Sequence, residues 1–139
     1  VMTSPVYDAV DNTDLSQGDI VQLFDIPADT LIIGGCIENL EASGNEQVTY
    51  DVGFTGGDVD CFVDGADSDQ AAGYSVPFLM AASGLQASNP VLVTTADTVD
   101  LLVIDGGSSH TAAWRFRAHI VLADVSRNPK ESATVSTGT

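Results

Sequence analysis

The sequence predicts an all-β fold: an antiparallel, jelly-roll-like β-sandwich of about 7–9 strands. Three observations carry that prediction. Runs of strand-type residues recur about every 10–15 positions, Gly, Asp and Pro cluster between them, and no stretch holds a long helical periodicity. No repeat of fixed period is present, which argues against a solenoid or propeller.

Asp19–Ile26 has strand composition, and the turn signal Pro27-Ala28-Asp29-Thr30 ends it. Leu31–Glu41 follows as a longer strand, apolar at both parities, with Gly34-Gly35 marking a bulge or a close backbone approach. After the loop Ser43–Glu46, Val48–Phe54 alternates cleanly: Val48, Tyr50, Val52 and Phe54 face one way, Thr49, Asp51 and Gly53 the other. These three strands are expected to form an antiparallel meander. Thr55–Gln70 reads as a Gly/Asp-rich loop around Cys61-Phe62-Val63. Ala71-Ala72-Gly73 suggests one helical turn, and Tyr74–Met80 a loose edge pairing.

The last third is the most regular. Pro90–Thr94 and Thr98–Ile104 read as strands joined by the turn Thr95–Asp97, and Asp105–Thr111 as a hairpin loop. Ala112–Asp124 alternates with Trp114, Phe116, Ala118, Ile120 and Leu122 on the core face and Arg115, Arg117, His119 and Val121 on the other. The expected organisation is an N-terminal arm over 1–18, a sandwich domain over 19–124 and a polar tail over 125–139.

Composition narrows the function classes. The 139 residues suit one domain. Twenty acidic residues against four basic ones give a net charge of −16, so direct nucleic-acid binding, which needs clustered Lys and Arg, is disfavoured. No apolar run approaches a membrane span, and Val1–Pro5 has neither the basic flank nor the apolar stretch of a signal peptide. Sixteen Asp, four Glu and a single Lys fit a marine or halophilic protein, where salt screens self-repulsion, or an ordinary acidic surface. Cys36 and Cys61 sit in apolar contexts and read as buried free thiols, with one bridge between them as the alternative.

Catalytic constellations are thin, and the expectation is that the protein is not an enzyme. His110 lies in a Gly/Ser loop and His119 in a strand, and there is no nucleophile elbow or phosphate-binding loop. Asp60, Asp64, Asp67 and Asp69 crowd one stretch; closely spaced Asp oxygens can ligate calcium, but Phe62 breaks the helix–loop–helix pattern, so a solvated loop is the competing reading. No other cofactor is expected. Arg115 and Arg117 must find carboxylates, either within the chain, as at Asp100, or across an interface. A carbohydrate- or ligand-binding sandwich of an adhesion device is the alternative function, and a small carboxylate hydrolase a third.

The chain resembles a family in the order of its motifs. Asp-Ile-Pro-Ala-Asp-Thr-Leu (Asp25–Leu31) leads into an aliphatic strand, followed by Thr-Tyr-Asp-Val-Gly (Thr49–Gly53), Asp-Cys-Phe-Val-Asp-Gly (Asp60–Gly65) and Ala-Asp-Thr-Val-Asp-Leu (Ala96–Leu101). This order, over about residues 15–124, resembles the head decoration, or capsid cement, proteins of tailed bacteriophages and related viruses. The resemblance implies a protein made in the host cytoplasm that binds the outside of an icosahedral head, often as a trimer, and clamps neighbouring major capsid subunits. Residues 1–12, with Pro5, Val6, Tyr7 and Val10 as anchors, are the expected contact segment, together with Arg115 and Arg117.

Overall fold

The structure, a computed structural model, describes residues 1–9, 15–44, 48–78, 91–106 and 113–126. Among the described residues ten strands run in order: β1 (Met2–Thr3), β2 (Tyr7–Asp8), β3 (Ile20–Ile26), β4 (Thr30–Glu41), β5 (Val48–Gly53), β6 (Val63–Asp67), β7 (Ser75–Pro77), β8 (Val91–Val93), β9 (Asp97–Gly106) and β10 (Arg115–Asp124). They form two antiparallel sheets. One has the order β1-β10-β4-β7, with β2 also on β10 and β8 also on β4; the other has the order β3-β9-β5-β6.

Both edges of the first sheet are interrupted strands. β1 and β2 lie along one side of β10, and β7 and β8 along the outer side of β4. Counting each broken edge once leaves eight strand positions, in spatial orders 1-8-3-6 and 2-7-4-5. Two facing four-position sheets in this order are a jelly roll, so the predicted class holds.

The meander does not. β3 pairs β9 rather than β4, and β4 pairs β10, so β3, β4 and β5 alternate between the two sheets. Alternation in a sequence reports which face is buried, not which strand lies alongside. Asp29, in the left-handed region at φ 57°, makes the turn by which the chain crosses from β3 to β4. Asp tolerates that backbone better than most side chains.

The two inner faces form the core. Ile26, Ile32, Ile37, Val48, Tyr50, Val52, Phe62, Val99, Leu101, Trp114, Phe116 and Ile120 are all sealed from solvent. One aromatic string runs Tyr7–Phe116–Trp114–Tyr50, with ring centroids 4.3–5.3 Å apart, and a second runs Phe54–Phe62–Phe78. Gly34-Gly35 meets both of its expectations. A bulge shifts the β4–β10 register there, and at Gly35 a Cβ would lie 2.5 Å from the Phe78 ring. Ala71–Gly73 is a turn rather than a helix, with Gly73 at φ +85°.

The N-terminal segment also differs from a free arm. Ser4 N donates to Ala118 O at 2.9 Å, Ala9 N donates to Trp114 O at 3.0 Å, and Tyr7 stacks on Phe116. Residues 2–9 therefore belong to the sandwich. Two-residue strands carry no periodicity from which this could be read.

Candidate interaction surface

The strict alternation of β10 turns Trp114, Phe116, Ala118 and Ile120 inward, as expected, and leaves Arg115, Arg117, His119 and Val121 on the outer face of the six-stranded sheet. The register with β4 decides what they meet. Arg117 stands opposite Glu38 and His119 opposite Cys36. Arg117 grips Glu38 with both arms of its guanidinium: Nε donates to Oε2 at 2.7 Å and Nη2 to Oε1 at 3.3 Å. His119 Nε2 lies 2.6 Å from the same Oε2, and its Nδ1 lies 3.0 Å from Thr3 Oγ1 on β1. One carboxylate thus ties β4 to β10, and the imidazole ties both to the N-terminal edge.

The hydrogen bond from Arg117, followed by that from His119, lowers the Glu38 carboxyl to about 2. Glu38 keeps 24% of its side-chain surface exposed and Arg117 38%, so water and salt screen the pair. Arg115 Nε lies 2.9 Å from Asp8 Oδ2, without the alignment of a hydrogen bond, and Nη1 3.9 Å from Glu41. Among the described residues, the carboxylates beside the two arginines are Asp8, Glu38 and Glu41. Asp100 is on the other sheet.

The same face changes character along its length. Past His119, β10 presents Val121 opposite Gly34, then Ala123 opposite Leu31, which in turn lies opposite Leu92 of β8. Ile33 is the extra residue of the bulge and is 48% exposed; Leu92 is 52% exposed. Beside Leu92 opens a groove of about 240 Å³, lined by Val91 to Thr95 and Asp97 on one side and by Phe54, Gly57 and Asp58 on the other.

The remaining candidates are dispersed. Pro5 and Val6 are exposed and Tyr7 is half-buried, while Val10 and His110 lie outside the described residues. The stretch read as an Asp-rich loop is in part the strand β6, which separates its carboxylates. Asp60 precedes the strand and shares a hydrogen bond with Asp58; that bond, ahead of burial, raises its pKa. Asp67 Oδ1 accepts from the backbone N–H of Asp69. Among the described residues no three His, Cys, Asp or Glu side chains converge as metal ligands, so Asp60, Asp64, Asp67 and Asp69 are not brought together. Both cysteines are free; Cys61 is buried, with burial pushing its thiol up to about 12, whereas Cys36 is half-exposed on the outer face.

Asn39 is the structural residue that sequence reasoning missed. It accepts from Trp114 Nε1 at 2.9 Å and donates to Ser68 O at 3.2 Å and Gln70 O at 2.6 Å. The one available signal was a polar residue at a core parity, two positions after Ile37.

In fold, the chain is similar to a chain in the capsid of Ralstonia phage GP4, with a TM-score of 0.61, 17% identity, and coverage of 87% of this chain and 83% of that one. It is also similar to a chain in the cyanophage Pam1 capsid asymmetric unit, with a TM-score of 0.58, 16% identity, and coverage of 86% and 81%. At these identities the likeness is one of fold. No family model matches the sequence, and no curated protein matches it.

Proposed function

We propose that this chain is a structural virion protein that decorates the outside of an icosahedral capsid and stabilises it by clamping neighbouring major capsid subunits. The observation that carries the reading is the overlap of nearly the whole jelly roll with a chain of a phage capsid, extending over four-fifths of that chain's own length. The motif order of the sequence supports it. A protein that binds only the assembled shell favours that shell by mass action, so many modest contacts suffice.

Within this reading Pro5 and Val6 contribute contacts from the N-terminal edge, while Tyr7, Arg115 and Arg117 hold the sandwich together. A charge of −16 opposes self-association at low salt, so a trimer forms more readily as salt screens it. The carbohydrate-binding alternative needs an exposed aromatic platform. Among the described residues Tyr74 is the exposed ring, and the strings around Trp114 and Phe62 are internal.

The test is co-sedimentation with capsids assembled from the major capsid protein of the same genome, alongside native mass at low and high salt. Saturable pelleting at a fixed ratio, with a higher capsid disruption temperature, is the expected result. Protein that stays in the supernatant at every salt concentration refutes the reading.

A further inference from the structure

The outer face of the six-stranded sheet has two unlike halves. In one, every described Arg side chain of the molecule is engaged: Arg117 by Glu38, Arg115 by Asp8 and Glu41. In the other, the cross-strand row Leu92–Leu31–Ala123 extends over about 10 Å, two strand spacings. Ile33 and Val121 lie beside this row. Gly34 leaves the backbone bare between them, because a Cβ there would meet nothing within 4 Å.

Of the nine exposed large apolar side chains among the described residues, four belong to this end: Ile33, Leu92, Val121 and Val125 just beyond β10. Scattered exposed apolar residues need no explanation, but a contiguous set on one sheet face marks an interaction surface. The groove that Leu92 shares with Phe54 and Asp58 continues it.

Charge selects the occupant. The rim of this end carries Asp29 in the β3–β4 turn, Asp124 at the end of β10, and Asp58 and Asp97 along the groove. No Lys or Arg side chain among the described residues lies on that rim. A second copy brings the same −16 and the same acidic rim, so like charges would oppose it. A surface with apolar side chains flanked by Lys or Arg matches both the floor and the rim.

We propose that the apolar half of this face, with the adjoining groove, docks on a basic, apolar segment of the major capsid protein. The proposal deepens the capsid reading and rests on it. Its test is pelleting of Ile33→Asp and Leu92→Gln with the same capsids, each variant checked for an unchanged unfolding midpoint. Both positions are exposed, so at least one variant is expected to fold normally. Ile20→Asp, on an exposed position of β3 in the other sheet, is the control.

Each face variant is expected to weaken capsid binding at least tenfold and the control less than twofold. Asp97→Asn combined with Asp124→Asn is expected to weaken binding about threefold and to flatten its salt dependence. Wild-type protein that does not pellet overturns the capsid reading itself. Wild type that binds while both face variants bind equally well overturns the docking face alone. A face variant that lowers the native mass without altering pelleting assigns the surface to a second copy and also overturns the proposal. Unchanged binding by the double Asn variant overturns the basic character of the partner.

Discussion

Asn39 and Asp100 occupy comparable places, one polar side chain in a central strand of each sheet and both 3% exposed, yet the two sheets accommodate them differently. Asn39 points into the sandwich, and both ends of its amide are satisfied, by Trp114 beside the neighbouring β10 and by the Ser68–Gln70 segment that follows β6 of the other sheet. Asp100 lies on the outward side of the four-stranded sheet. Thr55 and Thr98 donate to its Oδ2, and its Oδ1 is buried without a hydrogen bond. It is sealed from water because the chain after β5 folds back over that face, with Phe54 N donating to Asp58 O at 2.8 Å. One sheet closes its outer face with its own loop. The other locks its inner face with an amide and leaves its outer face open.

The largest expected effect comes from removing the lock. Asn39→Leu leaves Trp114 Nε1 and the Gln70 carbonyl without their partner, while Ser68 O keeps the bond from Ser43 N, and should cost about 2–4 kcal/mol, since each orphaned buried polar group costs about 1–3 kcal/mol. Urea unfolding followed by fluorescence of Trp114, the single tryptophan, measures it. A change below about 0.5 kcal/mol, the range of an ordinary surface substitution, would show that the amide is not what joins the sheets.

Next comes a paired glycine test of closed against open. At Gly53 a Cβ would lie 2.3 Å from Asp58 O and 2.5 Å from the Val59 carbonyl carbon, so Gly53→Ala must displace the covering loop and should destabilise by about 1–3 kcal/mol. Gly34→Ala, on the open face, should stay within about 0.5 kcal/mol of wild type. Equal unfolding midpoints for the two variants would erase the distinction.

The smallest effect is the pH response, and it has opposite signs in the two sheets. Glu38 is lowered from an ordinary value of 4.5 to about 2 by its bonds to Arg117 and His119. Its contribution is therefore complete above pH 4.5 and disappears as pH falls toward 2. Asp51, on the covered side of β5, is raised above 3.8 by burial, which outweighs the hydrogen bond it accepts from Gly65 N. It therefore favours folding when protonated, and that contribution is lost as pH rises through its folded value. Melting temperature against pH should fall less steeply on the acid side in Glu38→Gln, with the part due to Asp124 remaining. In Asp51→Asn it should gain on the neutral side.

Much of this architecture was legible in the residues. The period of two in Val48–Phe54 and Ala112–Asp124 placed Tyr50, Trp114 and Phe116 in the core, and Gly34-Gly35 announced the bulge, because burial and backbone freedom are local properties. Pairing is not local. Which carboxylate meets Arg117 depends on a register between residues 79 positions apart, and that register also separates the charged half of the face from the apolar one. The N-terminal edge was illegible for a related reason: its strands are too short to show a period, and β10 supplies what they pair with.

That first-to-last pairing has a consequence for how the molecule is made. Met2 aligns with Ile120, so Met2 and Thr3 have no strand partner until β10 has been made. At about 5–20 residues per second, a ribosome would leave them waiting for roughly 6–24 s. The sandwich then closes through contacts of very high sequence separation, a topology that folds slowly. β1 can therefore lock only after β10 is in place, although more than a hundred residues separate the two.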